Sequence, residues 1–291
     1  MTVDLIVHGP AGSSPPVMAQ AFLAGLAECG VDPRPWRTVP RAARPGTDAI
    51  EALLARPGDA DTVSTCTPIF VQAPLLAGGR PSHDDLTPLA RLVTDYCFIA
   101  VRADAPWRDA RDFVADLRAR PSRTAGFGIG SINHLLSLAI ARAADTQVDF
   151  VTVPTEPDAF ASLLAGDVDW VCGVGAEFLH HVEDGRLRAI AVLDDIRHAP
   201  FADAMTMAEA GAPVRFCLWR GLMGPPALAM ADRRRWWDIA DAVRSTRAWR
   251  AYLTRNGQHD SFLTGDAFAM FLDEQRGWYR EEMVRAGLIA A

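Results

Sequence analysis

The residues with the clearest chemical potential lie in two loops rich in glycine and other small side chains. One loop runs from Gly9 to Pro16 and the other from Ala125 to His134, and each leads into a predicted helix. Small residues let backbone N–H groups point outward, and a helix N-terminus adds partial positive charge, so both loops favour an anionic group. The sequence therefore predicts loops that bind the carboxylate of a small molecule. For the first loop taken alone, an ordinary strand-to-helix turn explains the residues equally well.

The second loop departs from two enzyme motifs that also use glycine. A dinucleotide-binding loop would have glycine in place of Ser131, and the nucleophile elbow of a hydrolase would read Gly-x-Ser-x-Gly. We expect Ser131 to cap the following helix, with its hydroxyl and amide also able to meet a ligand oxygen. His134 lies one turn further on, where it would either support the loop through a hydrogen bond or contact the ligand.

The candidate ligand-binding residues come from these loops and from the ends of other predicted strands. Arg220 is among them because a guanidinium can hold a carboxylate through two hydrogen bonds, whereas Arg41 and Arg44 are expected in ion pairs. The full set is Gly9, Ala11, Gly12, Ser13, Ser14, Thr65, Thr67, Phe127, Gly128, Ile129, Gly130, Ser131, His134, Thr155, Glu156 and Arg220.

An alternative is a cytosolic enzyme, or a ligand sensor, that acts on a small carboxylate. Its candidate catalytic groups are His8, Cys66 and His134, because a cysteine and a histidine within hydrogen-bond reach can perform nucleophilic or acid–base chemistry. A buried cysteine and a loop histidine would account for the same residues without catalysis, and that interpretation is preferred.

No metal ion or other cofactor is expected. All 29 basic residues are arginine, and the absence of lysine excludes Schiff-base chemistry and a Walker A phosphate site. His180, His181, Glu177 and Glu183 lack a spacing typical of metal sites and are expected to face solvent on a helix. The net charge of −7 argues against a nucleic-acid partner, since phosphate binding needs an excess of cations.

The cysteines and the N-terminal residues bear on the compartment. Five cysteines without a Cys-x-x-Cys pair predict unpaired, mostly buried thiols and mildly favour a reducing environment. The chain starts in a strand-like run without the pattern of a signal peptide. We therefore expect a cytoplasmic location if Met1 is the native start, and a periplasmic one if a leader has been removed. No apolar run is long enough for membrane insertion.

Short apolar runs alternate with longer periodic segments, which is typical of α/β folds with mostly parallel sheets. We expect two lobes, the first formed by residues 1–102 and 222–291 and the second by residues 103–221. Two crossings of the chain between the lobes would form a hinge, with a ligand cleft that closes on its ligand. From Asp232 to the C-terminus the pattern predicts helix throughout.

Taken in order, the motifs resemble those of the substrate-binding proteins of tripartite tricarboxylate transporters, also called the Bug or TctC family. The segments that carry the resemblance are Pro10–Ser13, Gly128–His134, Val153–Pro154, Leu163–Asp169, Gly185–Val192, Ala208–Gly211 and Trp219–Leu222. The resemblance implies a periplasmic-binding-protein-like (Venus flytrap) fold that closes on a small organic acid. It also implies a partner, the membrane permease that receives the acid.

The sequence departs from the family pattern at several positions of the expected pocket. Pro16 stands where the family usually has aspartate, and Thr155, Glu156 and Pro157 replace a Tyr-Lys-Gly segment. Phe127 and Ile129 make the second loop more apolar than is usual in the family. These differences predict a different ligand, such as a carboxylic acid with an apolar or aromatic body.

Overall fold

A computed structural model describes residues 1–11, 13–44 and 46–290 of the chain. Helices and strands alternate along most of it, as the sequence predicts. The strands are β1 (Val3–His8), β2 (Trp36–Arg41), β3 (Thr62–Cys66), β4 (Thr87–Arg102), β5 (Ser122–Phe127), β6 (Val148–Val153), β7 (Trp170–Val174), β8 (Leu187–Val192), β9 (Met205–Thr206), β10 (Cys217–Gly224) and β11 (His259–Thr264). The helices are α1 (Ser14–Cys29), α2 (Thr47–Leu54), α3 (Ile69–Leu76), α4 (Ala110–Ala119), α5 (Ile132–Ala143), α6 (Glu156–Ala165), α7 (Gly175–Glu183), α8 (Met230–Arg244), α9 (Arg247–Arg255) and α10 (Gly265–Arg285).

The chain divides into two compact units. Unit 1 comprises Met1–Thr94 and Trp219–Glu281, and unit 2 comprises Asp95–Leu218 and Glu282–Ala291. The division falls inside the long strand β4 and inside β10, so each of these strands contributes to both units.

In unit 1 the strands follow the order β2-β1-β3-β10-β4-β11. The strands β1, β2 and β3 are parallel, whereas β10 pairs with β3, and β11 with β4, in antiparallel orientation. Because β1 and β3 are parallel, their carboxyl ends lie at the same edge of the sheet, which is where α/β folds place ligand sites. This edge carries the residues that follow His8 and Cys66.

In unit 2 the strands follow the order β4-β7-β5-β6, and β8 also pairs with β4. The strands β5, β6 and β7 are parallel and β4 runs antiparallel to β7. The segments after β5, β6 and β7 each lead directly into a helix, so three helix N-termini meet at one edge. That edge holds the second glycine-rich loop.

Each unit has its own apolar core. In unit 1, Met18, Phe22 and Leu26 are spaced to share one face of α1, and they are buried in a cluster with Trp236 and Trp249. In unit 2 four phenylalanines pack together; the ring of Phe178 lies 5.3 Å from that of Phe160 and 5.0 Å from that of Phe201, which in turn lies 5.1 Å from Phe98. Each unit therefore has the separate apolar core that is typical of a domain.

The C-terminal prediction was wrong in one respect. Helices α8, α9 and α10 form as expected, but His259–Thr264 is a strand that pairs with residues 90–94 of β4. A run of six residues between two helices is too short to show a clear period, so only the neighbouring strand edge decides its conformation. No helix in the described ranges has both the length and the apolar character that a bilayer span requires.

Candidate ligand-binding site

A buried histidine organises the strand ends of unit 1. His8, the last residue of β1, has its Nδ1 3.0 Å from Thr65 Oγ1 and its Nε2 3.0 Å from Thr67 Oγ1. The centroids of the His8 and Phe70 rings lie 5.2 Å apart in an edge-to-face arrangement. Burial lowers the pKa of His8 from 6.5 to about 4, because the charged imidazolium would lose its hydration. The ring is therefore neutral near pH 7 and orients the two threonine hydroxyls.

The same geometry weighs against the catalytic interpretation of Cys66. Both ring nitrogens of His8 already contact threonine hydroxyls, so the ring has no nitrogen left to activate a thiol. Cys66 is fully buried, and its burial raises the pKa of the thiol well above 9.0. A thiolate nucleophile requires the opposite shift.

The first glycine-rich loop has fewer free amide donors than its composition suggests. The N–H of Ser13 donates to Pro10 O at 3.1 Å, and its hydroxyl donates to the same carbonyl at 2.7 Å. Pro15 and Pro16 lie in the first turn of α1 and have no N–H, which leaves Ser14 as the amide donor of that turn. Ala11 is exposed, and Gly12 lies outside the described residues.

Gly9 opens this loop in a conformation that favours glycine. Its φ is +89°, and a Cβ at this position would lie 2.9 Å from Ser13 Oγ.

The arginines differ in their surroundings. Arg220, on the unit 1 part of β10, is 9% exposed. Arg44 Nη2 lies 2.7 Å from Asp48 and 2.6 Å from Glu51, which confirms the ion pair expected for it. Arg41 donates to the carbonyl of Pro40 at 2.9 Å.

The second loop, in unit 2, is held by hydrogen bonds between its own residues. Ser131 caps α5 as predicted, because its Oγ accepts from the N–H of His134 at 3.2 Å. His134 in turn accepts from the N–H of Gly130 through Nδ1 at 3.1 Å. Burial lowers the pKa of His134, which keeps Nδ1 able to accept this bond. His134 thus supports the loop, the first of the two roles considered for it.

The loop also presents apolar surface. The side chains of Phe127 and Ile129 are 54% and 61% exposed, although both are large and apolar. Gly128 and Gly130 have φ of +67° and +81°, the left-handed region that glycine adopts most readily. These two glycines turn the backbone so that Phe127 and Ile129 project outward at the strand edge.

The segment after β6 positions Glu156. Thr155 precedes α6, and both its N–H and its hydroxyl donate to Asp158 Oδ2, at 3.0 Å and 2.6 Å. Its hydroxyl is therefore committed to the start of the helix rather than free for a ligand. Glu156 is the first residue of α6, and it lines a small cavity together with Glu177 from α7.

Glu177 is the residue that the sequence interpretation placed wrongly. It was expected to face solvent, but its Oε2 turns back over the end of β7 and accepts from the N–H of Val174 at 3.0 Å. The turn is possible because residue 173 is glycine: a Cβ there would lie 2.9 Å from Glu177 Oε2. Burial, and then the charge of Glu156, raise the pKa of Glu177 well above 4.5. The sequence contained a signal for this inward position, because Glu177 stands near the start of a helix that directly follows a buried strand.

Asn133 completes this part of the site. Its Nδ2 donates to Cys172 O at 2.8 Å, while Oδ1 is buried without a hydrogen-bond partner. Asn133 is 5% exposed and lines a small cavity together with Glu156 and Glu177. An unpaired buried acceptor costs about 1–3 kcal/mol, so an arriving donor group would relieve that cost.

Among the described residues, one cluster has atoms close enough for a metal ion. It joins the buried His83 to the exposed Asp84 and Asp273. Arg276 pairs with both carboxylates, and its Nη2 lies 2.7 Å from Asp273. The guanidinium already neutralises the cluster, so these residues do not form a prepared cation site.

Comparison with solved structures identifies the fold. A crystal structure of a TctC solute-binding protein from Polaromonas superposes with a TM-score of 0.90 at 22% identity, covering 98% of both chains. A structure of MatC from Rhodopseudomonas palustris with bound malate gives 0.70 at 18% identity and covers 97% of this chain and 98% of that one. Another R. palustris protein with adipate gives 0.76 at 19%, covering 98% and 97%. The predicted periplasmic-binding-protein-like α/β fold is confirmed.

Sequence comparison defines the family. Residues 49–276 match the tripartite tricarboxylate transporter family receptor, and the chain belongs to this family. A UPF0065 protein of Bordetella bronchiseptica is 28% identical over 72% of this chain, and the match spans only 62% of that relative's length. Protein BugT of Bordetella pertussis is 27% identical over 95% of this chain and 86% of its own. The resemblance expected from the motifs is therefore confirmed.

Proposed function

We propose that the protein is a receptor that captures a small organic acid for the permease of a tripartite tricarboxylate-type transporter. The observation that carries the proposal is the match of residues 49–276 to the receptor family. Malate and adipate in two structures of the same fold support a carboxylate as the ligand. A periplasmic location in the native cell is part of the same proposal.

The second loop is the preferred contact for one carboxylate in this proposal. The first turn of α5 has N–H groups at Ile132 and Asn133 that no helical carbonyl can accept, and the partial positive charge of the helix end favours an anion there. The Ser131 hydroxyl, which already accepts from His134, can donate its own hydrogen to the same carboxylate. Phe127 and Ile129 would cover the hydrocarbon part of the acid.

In unit 1 the proposed contacts are the hydroxyls of Thr65 and Thr67, the amide of Ser14 and the guanidinium of Arg220. The neutral ring of His8 holds the two hydroxyls in place. Arg220 would supply the charge that the proline-rich first turn of α1 lacks.

A thermal-shift screen against aliphatic dicarboxylates, aromatic acids and amino acids tests this function, followed by recovery of the compound. A ligand that binds only the folded state raises the melting temperature. We expect a shift with at least one acid and recovery of that acid unchanged. A screen without any shift, or a ligand recovered as a different compound, would refute the receptor.

Two matched variants assign the site within unit 2. Ser131→Ala removes the cap of α5, and Asp109→Ala removes the cap of α4, where the carboxylate accepts from the N–H groups of Arg111 and Asp112. Each loss should cost about 1 kcal/mol of stability. Only Ser131→Ala should weaken acid binding. Equal affinities in the two variants would exclude the second loop as the contact.

A further inference from the structure

The last turn of α10 and the residues after it belong to unit 2, although the helix begins in unit 1. Unit 2 takes up the chain again at Glu282, and α10 ends at Arg285. The chain leaves the helix through a hydrogen-bonded turn, in which the N–H of Leu288 donates to Met283 O at 2.9 Å and Gly287 has a φ of +68°. This arrangement is a common helix ending, and it fixes the backbone at Leu288.

An ion pair joins the end of α10 to α5. Two nitrogens of the Arg142 guanidinium donate to the carboxylate of Glu282, at 2.7 Å and 2.5 Å. The Glu282 side chain is 2% exposed, and two parallel hydrogen bonds fix both the distance and the orientation of such a pair. Because Arg142 lies in the last turn of α5, the pair holds the C-terminal end of α5 against α10.

A second contact lies at the other end of α5, in the second loop. A Cβ at Gly130 would lie 3.4 Å from Cδ1 of Leu288, so this methyl group packs against the backbone of Gly130. Among the described residues other than its chain neighbours, only Leu288 comes within 4 Å of that position. The N–H of Gly130 donates to Nδ1 of His134, and Ser131, the cap of α5, follows directly. Leu288 therefore supports the part of the loop from which both of these hydrogen bonds originate.

The second loop needs support of this kind. Phe127 and Ile129 are mostly exposed, and a Cβ at Gly128 would have no neighbour within 4 Å. A glycine-rich segment with few contacts loses much conformational freedom when it becomes ordered. The apparent affinity of a ligand is reduced by the fraction of molecules in which its site has the binding geometry, so a contact that holds the loop strengthens binding without touching the ligand.

We propose that Leu288 is a positioning residue of the ligand site, which holds the second loop in its binding geometry and thereby sets the affinity for the acid. The inference rests on the proposed function for the nature of the ligand. It adds a residue that acts through Gly130 and comes from the far end of the chain. The ion pair of Arg142 with Glu282 fixes the helix end from which Leu288 reaches the loop.

The variant Leu288→Ala tests the inference, with Leu164→Ala as the matched control. Leu164 is another half-buried leucine of unit 2, near the end of α6, and both changes remove the same atoms. Calorimetric titration with malate, with adipate and with the acid that gives the largest thermal shift measures the affinities. We expect Leu288→Ala to weaken binding about 3- to 10-fold, and Leu164→Ala to leave it within about 2-fold of the wild-type value.

The ring of His134 reports the position of the loop without any ligand. Burial holds the pKa of His134 below 6.5 in the wild-type chain. If Leu288 holds Gly130 in place, Leu288→Ala exposes the ring and raises its pKa toward 6.5 in an NMR titration, whereas Leu164→Ala leaves the pKa unchanged. The N–H of Gly130 should also exchange with solvent about 10-fold faster in Leu288→Ala. A merely structural role of Leu288 would lower the melting temperature without moving either quantity.

The outcomes separate the inference from the proposed function. If the wild-type protein binds no acid, the proposed function fails, and an unchanged His134 pKa in Leu288→Ala refutes the positioning role independently. If the wild-type protein binds an acid and Leu288→Ala weakens binding no more than Leu164→Ala does, the inference is refuted whatever the pKa. Weaker binding together with a raised His134 pKa, in Leu288→Ala alone, supports it.

Discussion

The buried ring of His8 leads to a quantitative prediction about stability at acid pH. Its pKa is about 4 in the folded chain and 6.5 in an exposed setting. Protons therefore bind more tightly to the unfolded chain between these values, and stability falls as the pH decreases from 6.5 toward 4. The loss attributable to His8 is about 2 kcal/mol by pH 5 and about 3 kcal/mol by pH 4.

The variant His8→Asn isolates this contribution. At pH 7.5 the variant should be less stable by about 2–3 kcal/mol, because the contacts with Thr65, Thr67 and Phe70 are weakened. At pH 4.5 the wild-type chain has lost about 2.5 kcal/mol through His8 that the variant cannot lose, so the two stabilities should converge. Other histidines with lowered pKa titrate in both proteins and cancel in the difference.

Urea unfolding followed by tryptophan fluorescence measures both stabilities at each pH. NMR titration of the His8 ring gives its pKa directly. A stability difference that stays constant within about 0.5 kcal/mol between pH 7.5 and 4.5 would refute the reasoning, as would a ring that titrates near 6.5. Either result would mean that the two hydroxyls and the ring are solvated rather than packed as described.

Three further predictions concern unit 2. Because the folded state holds the Glu177 proton more tightly than the unfolded chain does, stability should fall as the pH rises above 4.5. Glu177→Gln should remove this fall and raise the melting temperature at pH 8 by at least about 2–4 °C, the effect of about 1 kcal/mol in a chain of this size. Equal melting temperatures of the variant and the wild-type protein at pH 8 would contradict this prediction. Arg142→Met removes the nearer of two arginines from Glu282, whose side chain is 2% exposed, and leaves Arg285 Nη1 at 3.5 Å. The change should cost about 1–2 kcal/mol in urea unfolding, and a loss below about 0.5 kcal/mol would show the pair to be solvated. Gly126→Ala places a Cβ in steric overlap with the side chain of Asn133 and should destabilise the folded protein strongly. The control Gly277→Ala, in an open helical position, should stabilise the protein by up to about 1 kcal/mol. Equal melting temperatures for these two variants would contradict the close packing at Gly126.

The sequence was sufficient where local chemistry determines the structure. Ser131 could be assigned as a cap because a serine between a glycine loop and an apolar helix has one dominant role at that position. The alternation of strands and helices was likewise readable, because each element is long enough to show its own period. The family motifs then added the global fold, which local patterns alone do not specify.

The sequence was insufficient where several elements meet. Glu177 was expected in solvent, and only the packing of three helix N-termini around Gly173 shows that its carboxylate turns inward. The partners of His8 come from residues 57 and 59 positions away, a separation that no local pattern reveals. At the start of α1, composition favoured an anion site and an ordinary turn equally, and the structure shows that Pro15 and Pro16 leave few amide donors in that turn.

The claim that the protein is a receptor for a small acid is tested most directly by equilibrium dialysis of the purified protein with radiolabelled succinate and aspartate, each followed by analysis of the recovered compound. The account predicts saturable binding of at least one of them, at one site per chain, with the compound unchanged. Absence of retention for both, with aromatic and longer dicarboxylic acids equally unretained, would contradict it.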